Sequence, residues 1–170
     1  MSEKTEVQVE SLRVSLTSQN RLILLKEKEG PLSLPIFIGQ FEAESIVLAL
    51  QEIEISRPQP HDLIRNTIRS LGASILYAEI TEMRSATFIA EIDLQNEAGG
   101  VVRIDCRPSD AVAVALRAHV PIYVSRSLMD AYGIQPEKDV RTGQAPQKGL
   151  QESDDEDLSA FQDFFDNIDL

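Results

Sequence analysis

The chain has 170 residues and a mass of 18.9 kDa, with 42% hydrophobic and 26% charged residues, an ordinary globular usage that excludes wholesale disorder and fibrous architectures. No apolar run approaches the roughly 18 residues of a membrane span, and the start Met1-Ser2-Glu3-Lys4 lacks the apolar core of a signal peptide, so a cytoplasmic protein with no membrane partner is expected. One cysteine, Cys106, and two histidines, His61 and His119, exclude an internal disulfide and a thiolate/imidazole zinc cage, which leaves carboxylates as the ligands of any metal. The formal charge is -12, but residues 149–170 hold eight acids and no base; the remaining 16 basic and 20 acidic residues give the body a net of -4, without the basic stripe of a tight duplex binder.

Along the chain, the alternation of Val7, Val9, Leu12, Val14 and Leu16 predicts a strand, broken by Thr17-Ser18-Gln19-Asn20. A second strand follows at 21–26, and after the Gly30-Pro31 turn a third at 32–38. Residues 40–53 carry Phe41, Ile46, Ala49, Leu50 and Ile53 at helical spacing, which predicts a helix burying that face. Arg57-Pro58-Gln59-Pro60 breaks it, and Leu63, Ile64, Thr67, Ile68 and Leu71 build another, capped by Gly72. Strands at 75–82, 86–94 and 101–106 come next, the last two joined by Ala98-Gly99-Gly100. Pro108 and Ser109 open a helix reaching about Arg117; a short strand at 121–124 and a final helical segment at 127–132, ended by Gly133, complete the body.

Laid over one another, the two halves match in element order, with Ile46-Val47-Leu48-Ala49-Leu50 falling on Val112-Ala113-Val114-Ala115-Leu116 and Glu44 on Asp110. The expected fold is therefore α+β: a strand-strand-strand-helix-helix unit used twice, giving a twisted mixed, mostly antiparallel sheet or partial barrel with helices packed on it. Residues 1–137 form this domain, as repeats at 7–72 and 73–136. A Pro/Gly-containing linker at 138–150 then leads to an acidic tail at 151–170, in which Leu158, Phe161, Phe164, Phe165 and Ile168 stand at helical spacing and could recruit a protein partner.

Polar residues gather at three junctions. In Asp105-Cys106-Arg107-Pro108-Ser109-Asp110-Ala111, strand periodicity puts Arg103, Asp105 and Arg107 on one face, with Asp110 in the first turn of the next helix. Asp105 and Asp110 could hold a divalent cation, Mg²⁺ or Mn²⁺, while Arg107 grips a phosphate. A structural reading also fits: Ser109 as N-cap, Asp110 complementing the helix dipole and Asp105 neutralising Arg107. In Gly39-Gln40-Phe41-Glu42-Ala43-Glu44 the two glutamates diverge by about 200° on a helix, so at most one serves a site, and Glu42 is a weaker metal candidate. In Arg57-Pro58-Gln59-Pro60-His61-Asp62, His61 could move protons near neutral pH, with Asp62 orienting it or capping the helix. His119, at a helix C-terminus, and Cys106, in an apolar strand, read as structural.

These blocks, Leu34-Pro35-Ile36-Phe37-Ile38-Gly39 with Glu42-Ala43, Arg57-Pro58 with His61-Asp62-Leu63, and Asp105 to Ala111 ahead of Val120-Pro121-Ile122-Tyr123-Val124, resemble the bifunctional nuclease domain family over about residues 7–136. The resemblance implies an α+β domain, often a dimer, with nuclease activity on DNA and RNA attributed to some members. Its polar pattern falls here on Glu42, His61, Asp62, Asp105, Arg107, Ser109 and Asp110. The expected function is metal-assisted hydrolysis of single-stranded or flexible DNA or RNA. The competing expectation is a non-catalytic dimeric binding module, since aromatic residues are only 5% of the chain and offer few stacking platforms for bases.

Overall fold

Runs rich in β-branched residues and leucine, punctuated by Gly, Pro and polar turns, become seven strands in the computed structural model, which describes residues 3–14 and 21–135. The chain order is β1 (Lys4–Val14), β2 (Arg21–Glu27), β3 (Ser33–Ile38), α1 (Gln40–Leu50), α2 (Pro60–Ser70), β4 (Ser74–Arg84), β5 (Thr87–Gln95), β6 (Val101–Cys106), α3 (Pro108–Ala118), β7 (Ile122–Ser125) and α4 (Arg126–Tyr132). The expected strand break at 17–20, the linker and the acidic tail lie outside the described residues.

The strands form one open sheet in the order β3-β2-β1-β7-β4-β5-β6, antiparallel throughout except for the β4–β7 pair. Two antiparallel meanders thus flank β7. The second half places β7 between its two helices, where the first half has no strand, so the five-element unit does not recur in the expected order. A bulge between Val9 and Ser11 resets the alternation of β1, which is why Val7 and Val9 are followed by Leu12 and Val14.

α3 is the centre of the helical layer. Ala111, Val112, Ala113, Val114 and Ala115 are all buried, and the helix packs on β4 and β5 below and on α1 and α2 beside it. Its alanines let both neighbours approach closely. On β2, Ile23 and Leu25 join the main core, while Leu22 and Leu24 pack with Ile134 on the other face.

The helix faces differ from expectation. α1 stops at Leu50, and it buries Ala43, Ser45 and Ile46 while Phe41 is 79% exposed and Ile53 lies beyond its end. In α2 only His61 is buried, and Leu63, Ile64 and Leu71 face outward. The cause is polar: both helices turn side chains toward α3 that bond to one another, as described below.

Candidate functional site

α3 begins immediately after β6, with Arg107 as N-cap and Pro108 at N1, where its missing N–H costs nothing. Ser109 is therefore inside the first turn and buried rather than at the cap. Asp110, one residue further, receives a bidentate grip from Arg107, Nε to Oδ2 at 2.8 Å and Nη2 to Oδ1 at 3.0 Å. The third guanidinium nitrogen, Nη1, reaches Glu42 Oε1 on α1 at 2.8 Å. Glu42 folds back over Gly39, where a Cβ would stand 2.2 Å from its Oε2, so glycine makes room for the carboxylate. Glu44 points away and bonds Gln40, so only one glutamate of the pair enters the cluster.

Behind this surface group lies a buried relay. His61 Nε2 is 3.0 Å from Asp110 Oδ1, and its Nδ1 is 2.8 Å from Ser45 Oγ. A carboxylate only accepts, so Nε2 donates to Asp110, and in the neutral ring Nδ1 accepts the Ser45 hydroxyl proton. Ser45, His61 and Asp110 have the residue types of a hydrolytic triad, but Ser45 is buried and its oxygen also accepts from Arg117 Nη2 at 2.9 Å, so it is not presented to a substrate.

Arg117, itself buried, closes the network. Its Nε donates to Asp62 Oδ1 at 3.1 Å, Nη1 to the Ala113 carbonyl at 3.0 Å, and Nη2 to the Ser45 carbonyl at 3.1 Å and Gln59 Oε1 at 3.0 Å. Asp62 has two duties, since its Oδ2 also accepts from the Gln59 N–H at 3.0 Å and completes the α2 capping box. Asp62 thus orients Arg117, and Asp110 is the carboxylate on His61.

Asp105 stands apart. In β6 it lies across from Glu91, and no ion pair or side-chain hydrogen bond among the described residues joins it to the Arg107–Asp110 group. Cys106 packs against the core, and burial together with the negative charges of Asp110, Asp105 and Glu91 pushes its thiol up to about 12, so it is no nucleophile. His119 is exposed and caps α3 in a left-handed conformation, a structural role.

Burial alone would push the Asp110 carboxyl up, but the hydrogen bonds from Arg107 and His61 outweigh it and hold the group below its ordinary range. Arg107 is raised in turn, chiefly by Asp110 and secondarily by Glu42, and so carries a permanent positive charge at the surface, 65% exposed. As arranged, these residues do not suit a divalent cation: Glu42 and Asp110 share one guanidinium, and among the described residues no group of three or more His, Cys, Asp or Glu could hold a metal.

Sequence reading alone did not find Ser45, Gln59 and Arg117. One signal existed: Asp110 and Arg117 are seven apart, so in an Ala/Val helix they form a polar stripe along one face.

An α+β domain in which three of the four helices are joined by a buried arginine–carboxylate–histidine network, opening at an exposed arginine, is the class of protein defined here. The chain belongs to the bifunctional nuclease domain family, whose pattern matches residues 23–137. It is 40% identical over 129 residues to an uncharacterized protein of Mycobacterium tuberculosis, covering 76% of each chain. It is 29% identical over 130 residues to Bifunctional nuclease 1 of Oryza sativa and 28% identical over 116 residues to Bifunctional nuclease 2 of Arabidopsis thaliana, covering 73% and 66% of this chain. It spans only 38% and 35% of those plant proteins.

Proposed function

We propose that this protein hydrolyses phosphodiester bonds of single-stranded or flexible DNA or RNA at the Arg107 end of the helical layer. The observation that carries the reading is the tethered but exposed guanidinium of Arg107, held on one side by Asp110 and on the other by Glu42. A phosphate arriving at Arg107 competes with Glu42 for Nη1, because Asp110 already occupies Nε and Nη2. The displaced Glu42 carboxylate then takes a proton from a water molecule as its oxygen attacks phosphorus, and the departing sugar oxygen is protonated from solvent. Asp110 and His61 are positioning residues, which keep Arg107 in place through the relay to Ser45. Phe41, 79% exposed and adjacent to Glu42 in the first turn of α1, offers a ring face to an unpaired base. The names of the plant relatives and the family membership support the substrate class.

The test is cleavage of labelled single-stranded RNA and DNA by the full chain with Mg²⁺, with Mn²⁺ and with chelator. Glu42→Gln should lower kcat with little change in KM, and Asp105→Asn should retain activity. Loss of activity in Asp105→Asn with Glu42→Gln intact would refute the site. No cleavage by folded wild-type protein under any condition would refute the enzyme reading and favour the binding module.

A further inference from the structure

In α2 the usual relation between a helix and its domain is inverted. A surface helix normally turns its apolar stripe to the core and its polar face to water. Here His61, Asp62 and Arg65 all bond to α3, while Leu63, Ile64 and Thr67, with Leu71 at the C-cap, point outward. At 3.6 residues per turn these four positions fall within a sector of about 100°, so they form one continuous strip. Leu63 is 62% exposed and Leu71 77%. A contiguous apolar strip of this kind marks a contact surface, whereas single exposed leucines do not.

The strip is also set in the basic stretch of an acidic body. Residues 57–71 carry Arg57, Arg65 and Arg69 against one acid, Asp62, which Arg117 neutralises; the rest of residues 1–148 holds 13 basic and 19 acidic residues. Arg65 donates to the Arg117 carbonyl and to Asn66, and no ion pair among the described residues takes Arg57, Arg65 or Arg69. The occupant that this surface suits is therefore apolar on one face and acidic elsewhere.

We propose that α2 is covered by residues 158–168 of the same chain. That segment lies outside the described residues, and its sequence supplies both halves of the match. Leu158, Phe161, Phe165 and Ile168 repeat at the three- and four-residue spacing of a helix-in-groove ligand, and residues 149–170 hold eight acids and no base. Each apolar strip is too short to bury itself alone, and each finds the other with opposite charges on its borders. Residues 136–157 give about 70 Å of chain when extended, against a radius of gyration of about 14 Å for a domain of this size, so the segment reaches α2 from the end of the body. Such a tether holds the segment at about millimolar effective concentration, which favours docking within one chain over docking on a separate molecule. This inference does not depend on the catalytic reading.

The chain has no tryptophan, so one tryptophan placed in the full chain reports on the segment. The tryptophan of Phe161→Trp lies on the apolar face of residues 158–168, and that of Ser159→Trp lies on the opposite face. Acrylamide should quench the first at least threefold less efficiently than the second, equally at every protein concentration. Adding Leu63→Asp and Leu71→Asp should bring Phe161→Trp up to the quenching of Ser159→Trp with circular dichroism unchanged, since both leucines are exposed. Arg69→Glu should move it in the same direction and Arg69→Lys should not. Equal quenching of the two reporters would overturn the proposal. So would shielding that survives the Leu63→Asp/Leu71→Asp change, which puts the segment on another surface. Shielding that grows with protein concentration would overturn it in favour of a second copy, and shielding seen only with phospholipid vesicles would overturn it in favour of a membrane surface.

Discussion

Replacing Arg117 by methionine keeps the apolar stem and its volume but removes the guanidinium that ties α1, the α1–α2 connection and α2 to α3. The side chains of Arg117 and Asp62 are 7% and 20% exposed, so solvent screens the pair little. The substitution removes the guanidinium donor from Asp62 Oδ1, the Gln59 amide oxygen and the Ser45 and Ala113 carbonyls, and leaves the Asp62 charge without its counter-ion. Removing one partner of a buried pair costs about 3–5 kcal/mol. At about 2–4 °C per kcal/mol for a chain of this size, the midpoint should fall by roughly 6–20 °C. Urea unfolding at pH 7, followed by circular dichroism and checked by calorimetry, measures both quantities. Asp62→Leu combined with Arg117→Met should recover part of the loss, because no charge is then left unpaired. A cost under about 1 kcal/mol for Arg117→Met would refute the claim that this network, rather than the apolar faces of α1 and α2, closes the helical layer.

Three further outcomes are expected. The Asp110 carboxyl titrates below the ordinary value of about 3.9, so its ionised form adds stability above that pH that is lost as pH falls through the folded value. Acid unfolding curves of Asp110→Asn should accordingly be flatter than wild type below about pH 4, and superimposable slopes would contradict the assignment. Cys106, with its thiol pushed up to about 12 from 9.0, holds about a thousandfold less thiolate than an unperturbed cysteine at mildly alkaline pH. Its alkylation by iodoacetamide in the folded protein should be correspondingly slow, and a free-cysteine rate would refute this. The chain has no tryptophan, so Phe41→Trp introduces a single reporter. Its fluorescence should be quenched by single-stranded oligonucleotide and much less by duplex, whereas no response at saturation would exclude stacking there.

Much of the architecture was legible because its signals are local. Period-two alternation marked the strands, Gly30-Pro31 and Ala98-Gly99-Gly100 marked hairpin turns, and Pro108 marked the start of α3. Gly72, with φ of +74°, ends α2 as the sequence suggested. The Arg107–Asp110 pair was also foreseeable, being three residues apart at a strand–helix junction. The partners of His61 were not, because they depend on how α1 and α2 dock on α3, and contacts separated by 16 and 49 residues leave no periodic trace. Apolar periodicity misled for the same reason. In α1 and α2 the face turned to α3 is the one with Ser45, His61 and small residues, so Phe41 and Leu63 were left outside.

The most direct test of the central claim is the Arg107→Gln variant, purified identically to wild type and assayed for cleavage of labelled single-stranded RNA. The glutamine keeps a polar side chain at this position but removes the charge that anchors the phosphate. The expected result is folded protein whose kcat/KM falls at least a hundredfold. Undiminished cleavage by Arg107→Gln would contradict it and move the chemistry elsewhere in the fold.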